Sequence, residues 1–338
     1  MIRFGVLGLG HIGKRHAQSV LGHARAELVS IADVRSKEEC DAVHFEDVRW
    51  YDSMGAMLES GGLDVVCVCT PNGLHAEQAI EIMRNGCDVV LEKPIALSVK
   101  DAQAIKQVSE ETSRNVFCVM QNRYAPPSVW LKEMVDSGKL GEIRQVHIQC
   151  LWNRDDMYYA KGSWRGTLAL DGGPLFTQFS HFLDVMYWIF GGISNPQAKF
   201  FNQAHTHSTE FEDSGQITFE MPAHGWGSFT FSTAVDRSNF ESSLTLVAEK
   251  GTLRIAGQYM QELVHCDIDG YTMPELPKSA PPNDYGSFKG SASNHHLVIA
   301  NVVDVLNGNA EIATPLSEGI DVVSIIEDMY GAGERPLR

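Results

Sequence analysis

The sequence lacks any run of about 18 apolar residues, the length at which a helix crosses a membrane. It also lacks internal repeats and long biased tracts, which removes repeat and low-complexity architectures. Positive charge is scarce: Lys and Arg number 27 against 43 Asp and Glu, a formal net charge of −16. That balance argues against nucleic acid or an anionic membrane as partner. Small anionic ligands stay open, because screening over about 8–10 Å lets local arginines and backbone dipoles override a distant negative surface. No room is left for a signal peptide before the strand-like Ile2-Arg3-Phe4-Gly5-Val6-Leu7, so the cytoplasm is the expected location. The seven cysteines show no zinc-like spacing. Cys67-Val68-Cys69 has no partner pair elsewhere and reads as buried, inert thiols on a strand, so no metal is expected.

What is present fits about two domains in 338 residues. Short apolar runs at Phe4 to Leu7, Leu28 to Ala32, Val65 to Cys69, Val89 to Leu91 and Val116 to Met120 alternate with helical spacing. Strands apolar on both faces and joined by helices predict an α/β, doubly wound parallel sheet over residues 1–122. From residue 123 to 338 the pattern changes. Val146, Ile148, Cys150 and Trp152 share one face of a strand, as do Ile217, Phe219 and Met221. Glu249-Lys250-Gly251 reads as a hairpin turn, so an antiparallel sheet with one polar face is expected. Two helices close the chain, near Asn294 and Ser317, and can pack back on the first domain. Residues 271–293 read as a long loop.

Gly8-Leu9-Gly10-His11-Ile12-Gly13 falls between a strand and a helix, with Asp33 following 20 residues after Gly13 at the end of the next strand. The first glycine permits the turn, the second admits a pyrophosphate, the third packs helix on strand, and the carboxylate receives a ribose diol. NAD is the expected cofactor, and NADP is disfavoured by Asp33 despite Arg35 and Lys37 nearby. Thr70, Asn72 and His75 follow the third strand, where small polar groups line a nicotinamide-side crevice or build the turn. Glu92-Lys93-Pro94 ends the next strand, placing a lysine where a proton moves during hydride transfer.

Gly172-Gly173-Pro174 opens what reads as one helix running through Phe190. Thr177, His181 and Asp184 then fall on one stripe, a hydroxyl, imidazole and carboxylate in an apolar helix. A carboxylate beside His181 can hold it in one tautomer.

Together these motifs resemble the glucose–fructose oxidoreductase / inositol dehydrogenase family (Gfo/Idh/MocA), in order and spacing over essentially the whole chain. The resemblance implies a Rossmann domain followed by a domain with a large open, mostly antiparallel sheet, in a homodimer or homotetramer. It implies Lys93 and His181 as the catalytic pair, one on each domain, acting on a sugar or polyol carbon. Two positions depart from the family pattern. Pro174 stands where relatives have a third glycine, and Thr177 where they often carry Asp or Asn, so Thr177 cannot take the proton. Gln121-Asn122-Arg123, Tyr158-Tyr159, Trp164-Arg165-Gly166-Thr167 and Leu170-Asp171-Gly172-Gly173 look like the nucleotide-sugar members, above all the UDP-N-acetylglucosaminuronate 3-dehydrogenases. On that resemblance Asn122, Arg123, Trp164, Arg165, Thr177, Gln178 and His181 contact substrate. The guanidinium groups suit a carboxylate or pyrophosphate. The Gly/Ser-rich segment from Tyr285 to Asn294, with Lys289, can also receive phosphate ahead of a helix. His295 and His296 point about 100° apart and do not share an ion; a place near the substrate is one option for His296, and the less favoured one. The expected reaction is oxidation of a secondary hydroxyl, with a free polyol dehydrogenase, an NAD-dependent glycosidase and a non-catalytic NAD sensor as alternatives.

Overall fold

In the computed structural model the chain divides into two compact units, Met1–Met120 with His295–Val323, and Gln121–Asn294 with Ser324–Arg338. The structure describes residues 1–337 except 46, 161, 162, 223, 224 and 287, and of Val43 only the backbone. Ser287 of the Gly/Ser-rich segment therefore lies outside the described residues. No described helix is long and apolar enough to cross a membrane.

The first unit runs β1 (Ile2–Leu7), α1 (His11–Leu21), β2 (Ala26–Ala32), β3 (Arg49–Tyr51), α2 (Met54–Glu59), β4 (Val65–Val68), α3 (His75–Arg84), β5 (Asp88–Leu91), α4 (Val99–Thr112) and β6 (Val116–Cys118). All six strands are parallel, in the order β3-β2-β1-β4-β5-β6. Every residue of β4 and β5 is buried, as the apolar runs require of strands covered on both faces. Ser53 and Ser98 cap α2 and α4 by accepting the Ala56 and Asp101 N–H groups, each cap contributing about 1 kcal/mol. The edge strand β3 was not expected from the sequence; three residues carry no readable alternation.

The second unit contains α5 (Pro126–Asp136), β7 (Ile143–Leu151), α6 (Pro174–Thr177), α7 (Ser180–Phe190), and strands β8 (Ser194–Phe201), β9 (Ser214–Glu220), β10 (Trp226–Ser232), β11 (Glu241–Ala248), β12 (Gly251–Ala256) and β13 (Glu262–Ile268). Its sheet is ordered β13-β12-β11-β7-β10-β9-β8, antiparallel throughout except where β7 meets β10. Ile148, Phe229, Phe231, Ile217, Leu244 and Leu253 turn inward and are buried. Trp152 packs edge-on against Phe179 and Phe182, both at 5.6 Å, which seats α7 on that apolar face. The Glu249-Lys250 turn joins β11 to β12 as expected.

Two expectations change here. The segment read as a loop over 271–293 contains a small ribbon, β14 (Pro282–Asp284) paired with β15 (Lys289–Ala292). The single helix expected from Pro174 to Phe190 is broken between α6 and α7. The Gln178 and Phe179 N–H groups both donate to the Pro174 carbonyl, and the chain restarts with Phe179 as the next carbonyl acceptor. After β15 the chain returns through α8 (His295–Leu306), which packs on α1, and α9 (Leu316–Gly331).

Candidate active site

The glycine loop leaves β1 at its carboxyl end, beside β4, where the strand order reverses; open α/β sheets take their ligands at this point. Each glycine answers to a different constraint. Gly8 has φ +85°, a conformation that side chains disfavour. A Cβ on Gly13 would stand 1.9 Å from the Gly8 carbonyl oxygen, so helix and loop could not close. A Cβ on Gly10 would meet nothing within 4 Å, which is the open space a pyrophosphate needs at the uncapped start of α1. His11 and Ile12 form the first helical turn. The loop therefore fits a dinucleotide.

Asp33 follows β2 and is almost fully buried. Its carboxylate accepts the Leu9 N–H at 2.7 Å and the Arg35 N–H at 2.9 Å, and pairs with the Arg35 guanidinium at 2.8 Å. Burial pushes this carboxyl up, but the Arg35 side chain and the two N–H groups outweigh it and hold it below the usual range. Arg35, two residues beyond, is thus a partner of Asp33.

The loops after β4 and β5 are tied together by His75. One ring nitrogen contacts the Thr70 carbonyl at 2.9 Å and the other the Pro94 carbonyl at 2.7 Å. Thr70 itself hydrogen-bonds Gln78, and Asn72 is buried at the start of a short 3₁₀ turn. Lys93, half-buried, directly follows β5 and precedes a cis peptide to Pro94.

Glu92 points inward. Its Oε1 lies 2.9 Å from His16 Nε2 and 3.6 Å from His295 Nε2, while Oε2 accepts the Lys93 N–H at 3.1 Å. Both imidazoles are fully buried. Burial lowers His16, but its interactions with Cys67 and Glu92 reverse that and push it up to about 10. Burial favours the neutral acid at Glu92, yet the hydrogen bond with His16 and the nearby His295 hold it well below its ordinary range. His295 is lowered by burial in spite of Glu92. These directions favour a His16 cation beside a Glu92 carboxylate, with His295 neutral. The sequence reading missed His16, although Gly13, His16, Ala17 and Val20 form the buried stripe of α1 and an ionisable group there needs a partner. Of the two adjacent histidines, His295 is the buried one and His296 is exposed.

In the second unit the residues of the expected polar stripe go to separate partners. Thr177 Oγ1 donates to the Asp171 carbonyl at 2.9 Å and to its carboxylate. Burial pushes the Asp171 carboxyl up, against the bonds from Thr177 and the Gly166 N–H. His181 is 5% exposed and receives the Gln121 amide N–H at Nε2, 3.3 Å away, which with this amide orientation makes Nε2 the acceptor. Asp184 is held by Arg123, through Nε at 2.9 Å and through Nη2, in a fully buried pair. Arg123 is therefore engaged with Asp184 inside the unit. Asn122 accepts the Ser291 hydroxyl at 2.6 Å, and Gln178 donates to the Tyr158 hydroxyl at 3.1 Å. Trp164 and Arg165 stack on one another, 5.2 Å from guanidinium to ring, and stay partly exposed.

Two family descriptions match the chain: "Oxidoreductase family, NAD-binding Rossmann fold" over residues 2–120, and "GFO/IDH/MocA C-terminal domain" over residues 129–254. Among solved structures, the WlbA dehydrogenase of Bordetella pertussis in complex with NADH and UDP-GlcNAcA is similar, with TM-score 0.87 and 29% identity, over 98% of this chain and 96% of that one. Among curated proteins, the inositol 2-dehydrogenase of Rhizobium meliloti (strain 1021) is 33% identical over 149 residues, so the match spans only 44% of either protein. The D-glucoside 3-dehydrogenase of Escherichia coli (strain K12) is 26% identical, over 68% of this chain and 67% of that protein. The chain belongs to the Gfo/Idh/MocA family of oxidoreductases, and its first unit is the family's NAD-binding Rossmann domain.

Proposed function

We propose that this protein oxidises C3 of a UDP-linked N-acetylhexosamine uronate with NAD⁺. The coarser statement, an NAD-dependent sugar or polyol dehydrogenase, comes with the family. What supports the finer one is the full-length likeness to the UDP-GlcNAcA-bound enzyme, set against an inositol dehydrogenase match that covers under half of the chain. All seven cysteines are free thiols, the state a reducing compartment maintains, which supports a cytoplasmic location.

The residues divide the work. The Gly8–Gly13 loop and the start of α1 hold the pyrophosphate, and Asp33 receives the adenosine ribose. Bound NAD supplies the hydride acceptor. Lys93 takes the hydroxyl proton, which requires the neutral amine. Its neighbour Glu92 is already neutralised by the His16 cation, so no uncompensated anion at position 92 favours the ammonium form. His181 orients the oxygen and stabilises charge developing on it.

Lys93→Met tests the assignment. NADH binding should persist while turnover of UDP-GlcNAcA falls by about 10²–10⁴-fold. Near-normal turnover would sink the role of Lys93. NADH formation with myo-inositol but not with UDP-GlcNAcA would replace the substrate. Aglycone release without net NADH would make the protein a glycosidase, and cofactor binding without hydride transfer to any sugar a sensor.

A further inference from the structure

The segment that follows α9 packs against the turn that starts α6, and both belong to the second unit. Ala198 on β8 donates its N–H to the Ala332 carbonyl at 3.4 Å, which lays the chain along that edge strand. Arg335 then reaches the fully buried Glu212 carboxylate, through Nε at 2.8 Å and Nη2 at 3.3 Å. The same Nη2 donates to the Gly172 carbonyl at 3.2 Å. The Arg335 guanidinium lies 3.7 Å from the centre of the Tyr330 ring, and the Tyr330 hydroxyl accepts the Leu175 N–H at 3.1 Å.

The turn is shaped to this grip. Gly173 has φ +117°, and a Cβ there would stand 2.6 Å from the Tyr330 hydroxyl, 2.7 Å from Arg335 Nη2 and 3.2 Å from Glu212 Oε1. Both the backbone conformation and the closeness of these groups therefore require glycine. Gly173 offers no side chain to cap α6, and Tyr330 satisfies an N–H that a capping side chain would otherwise take. An ion pair with Glu212 alone would need neither of the two bonds to the turn. The turn fixes what comes after it: the Pro174 carbonyl accepts the Gln178 and Phe179 N–H groups, Asp171 holds Thr177, and His181 stands in the first turn of α7.

We propose that Arg335 and Tyr330 are positioning residues for His181. They clamp the turn from Gly172 to Leu175, and the turn sets the place of α6, the break at Phe179 and the start of α7. The proposal rests on the role given to His181 above. Both side chains act through the backbone of the turn, and a shift of about 1 Å in a group that orients a reacting oxygen costs about 10²-fold in rate.

Arg335→Met alone strands the buried Glu212 carboxylate and can fail to fold. The deciding variants are therefore Arg335→Met/Glu212→Gln, which leaves no stranded charge, and Tyr330→Phe, which keeps ring and ion pair and removes the acceptor hydroxyl. Steady-state rates with NAD⁺ and UDP-GlcNAcA are taken well below the melting temperature of each protein. In the double variant kcat should fall about 10- to 100-fold, and in Tyr330→Phe about 3- to 10-fold, the worth of one hydrogen bond. KM for NAD⁺ should stay within about twofold of the parent in both, because the dinucleotide loop lies in the other unit. Arg335→Lys should fall between the parent and the double variant, since an ammonium lacks the fork that spans Glu212 and Gly172. Hydrogen exchange read by mass spectrometry should quicken over residues 172–181 in both deciding variants and stay unchanged over residues 8–13. Parental kcat in the double variant, or unchanged exchange over 172–181, would overturn the clamp and leave Arg335 a structural ion pair. If the parent oxidises neither UDP-GlcNAcA nor myo-inositol while exchange over 172–181 quickens in the variants, the substrate reading falls and the clamp stands.

Discussion

Replacing His16 by Leu leaves the Glu92 carboxylate buried without its cation. Removing one partner of a buried ion pair costs about 3–5 kcal/mol, because the remaining charge is uncompensated. At about 2–4 °C per kcal/mol for domains of this size, the cofactor-free protein should melt about 6–20 °C lower at pH 6. The pH dependence carries the sharper test. His16 has its pKa raised from 6.5 to about 10 on folding, so its stabilisation is full below pH 6.5 and is lost as pH rises toward 10. Glu92 is held well below its ordinary 4.5, so its stabilisation is present above that value and is lost as pH falls through the folded one. The difference between parent and His16→Leu should be widest between about pH 4.5 and 6.5 and should shrink by pH 10. The double variant His16→Leu/Glu92→Leu should lose less than the sum of the two single losses, since it leaves no stranded charge. Scanning fluorimetry across pH on the four proteins decides it. Additive losses, or a difference that does not vary with pH, would refute the charged pair.

Gly10→Ala and Gly13→Ala should separate ligand space from fold space. The first should leave the melting temperature near that of the parent and weaken NADH binding measured by fluorescence titration; the second should destabilise the protein by more than about 3 kcal/mol through its clash with the Gly8 carbonyl. Arg123→Met should strand Asp184 and cost about 3–5 kcal/mol, read by urea unfolding, and Arg123→Lys should rescue it only partly because the pair is bidentate.

The parallel sheet was legible because doubly covered strands are written as unbroken runs such as Val65-Val66-Cys67-Val68. The Glu249-Lys250 hairpin was legible from local turn chemistry. The break at Phe179 was not, since Thr177 to Phe190 keeps helical spacing while the interruption is made by backbone bonds to Pro174. Nor could spacing assign partners on that stripe. Thr177, His181 and Asp184 look like one polar row, yet their partners Asp171, Gln121 and Arg123 come from other segments. Glu92 read as part of a motif facing the cofactor. It meets His16 from α1 and also His295, which belongs to α8 and arrives from the far end of the chain.

That late arrival bears on how the polypeptide matures on the ribosome. The first 120 residues emerge with both faces of their sheet nearly complete, but α1 has no α8 against it and Glu92 has only one of its two histidines. The missing piece follows only after residues 121–294, a wait of about 10–35 s at ordinary elongation rates. In the nascent Rossmann unit α1 therefore waits for α8 while the whole second sheet is made. A fragment cut at Met120 would keep every glycine of the dinucleotide loop and still lack the helix that packs on α1.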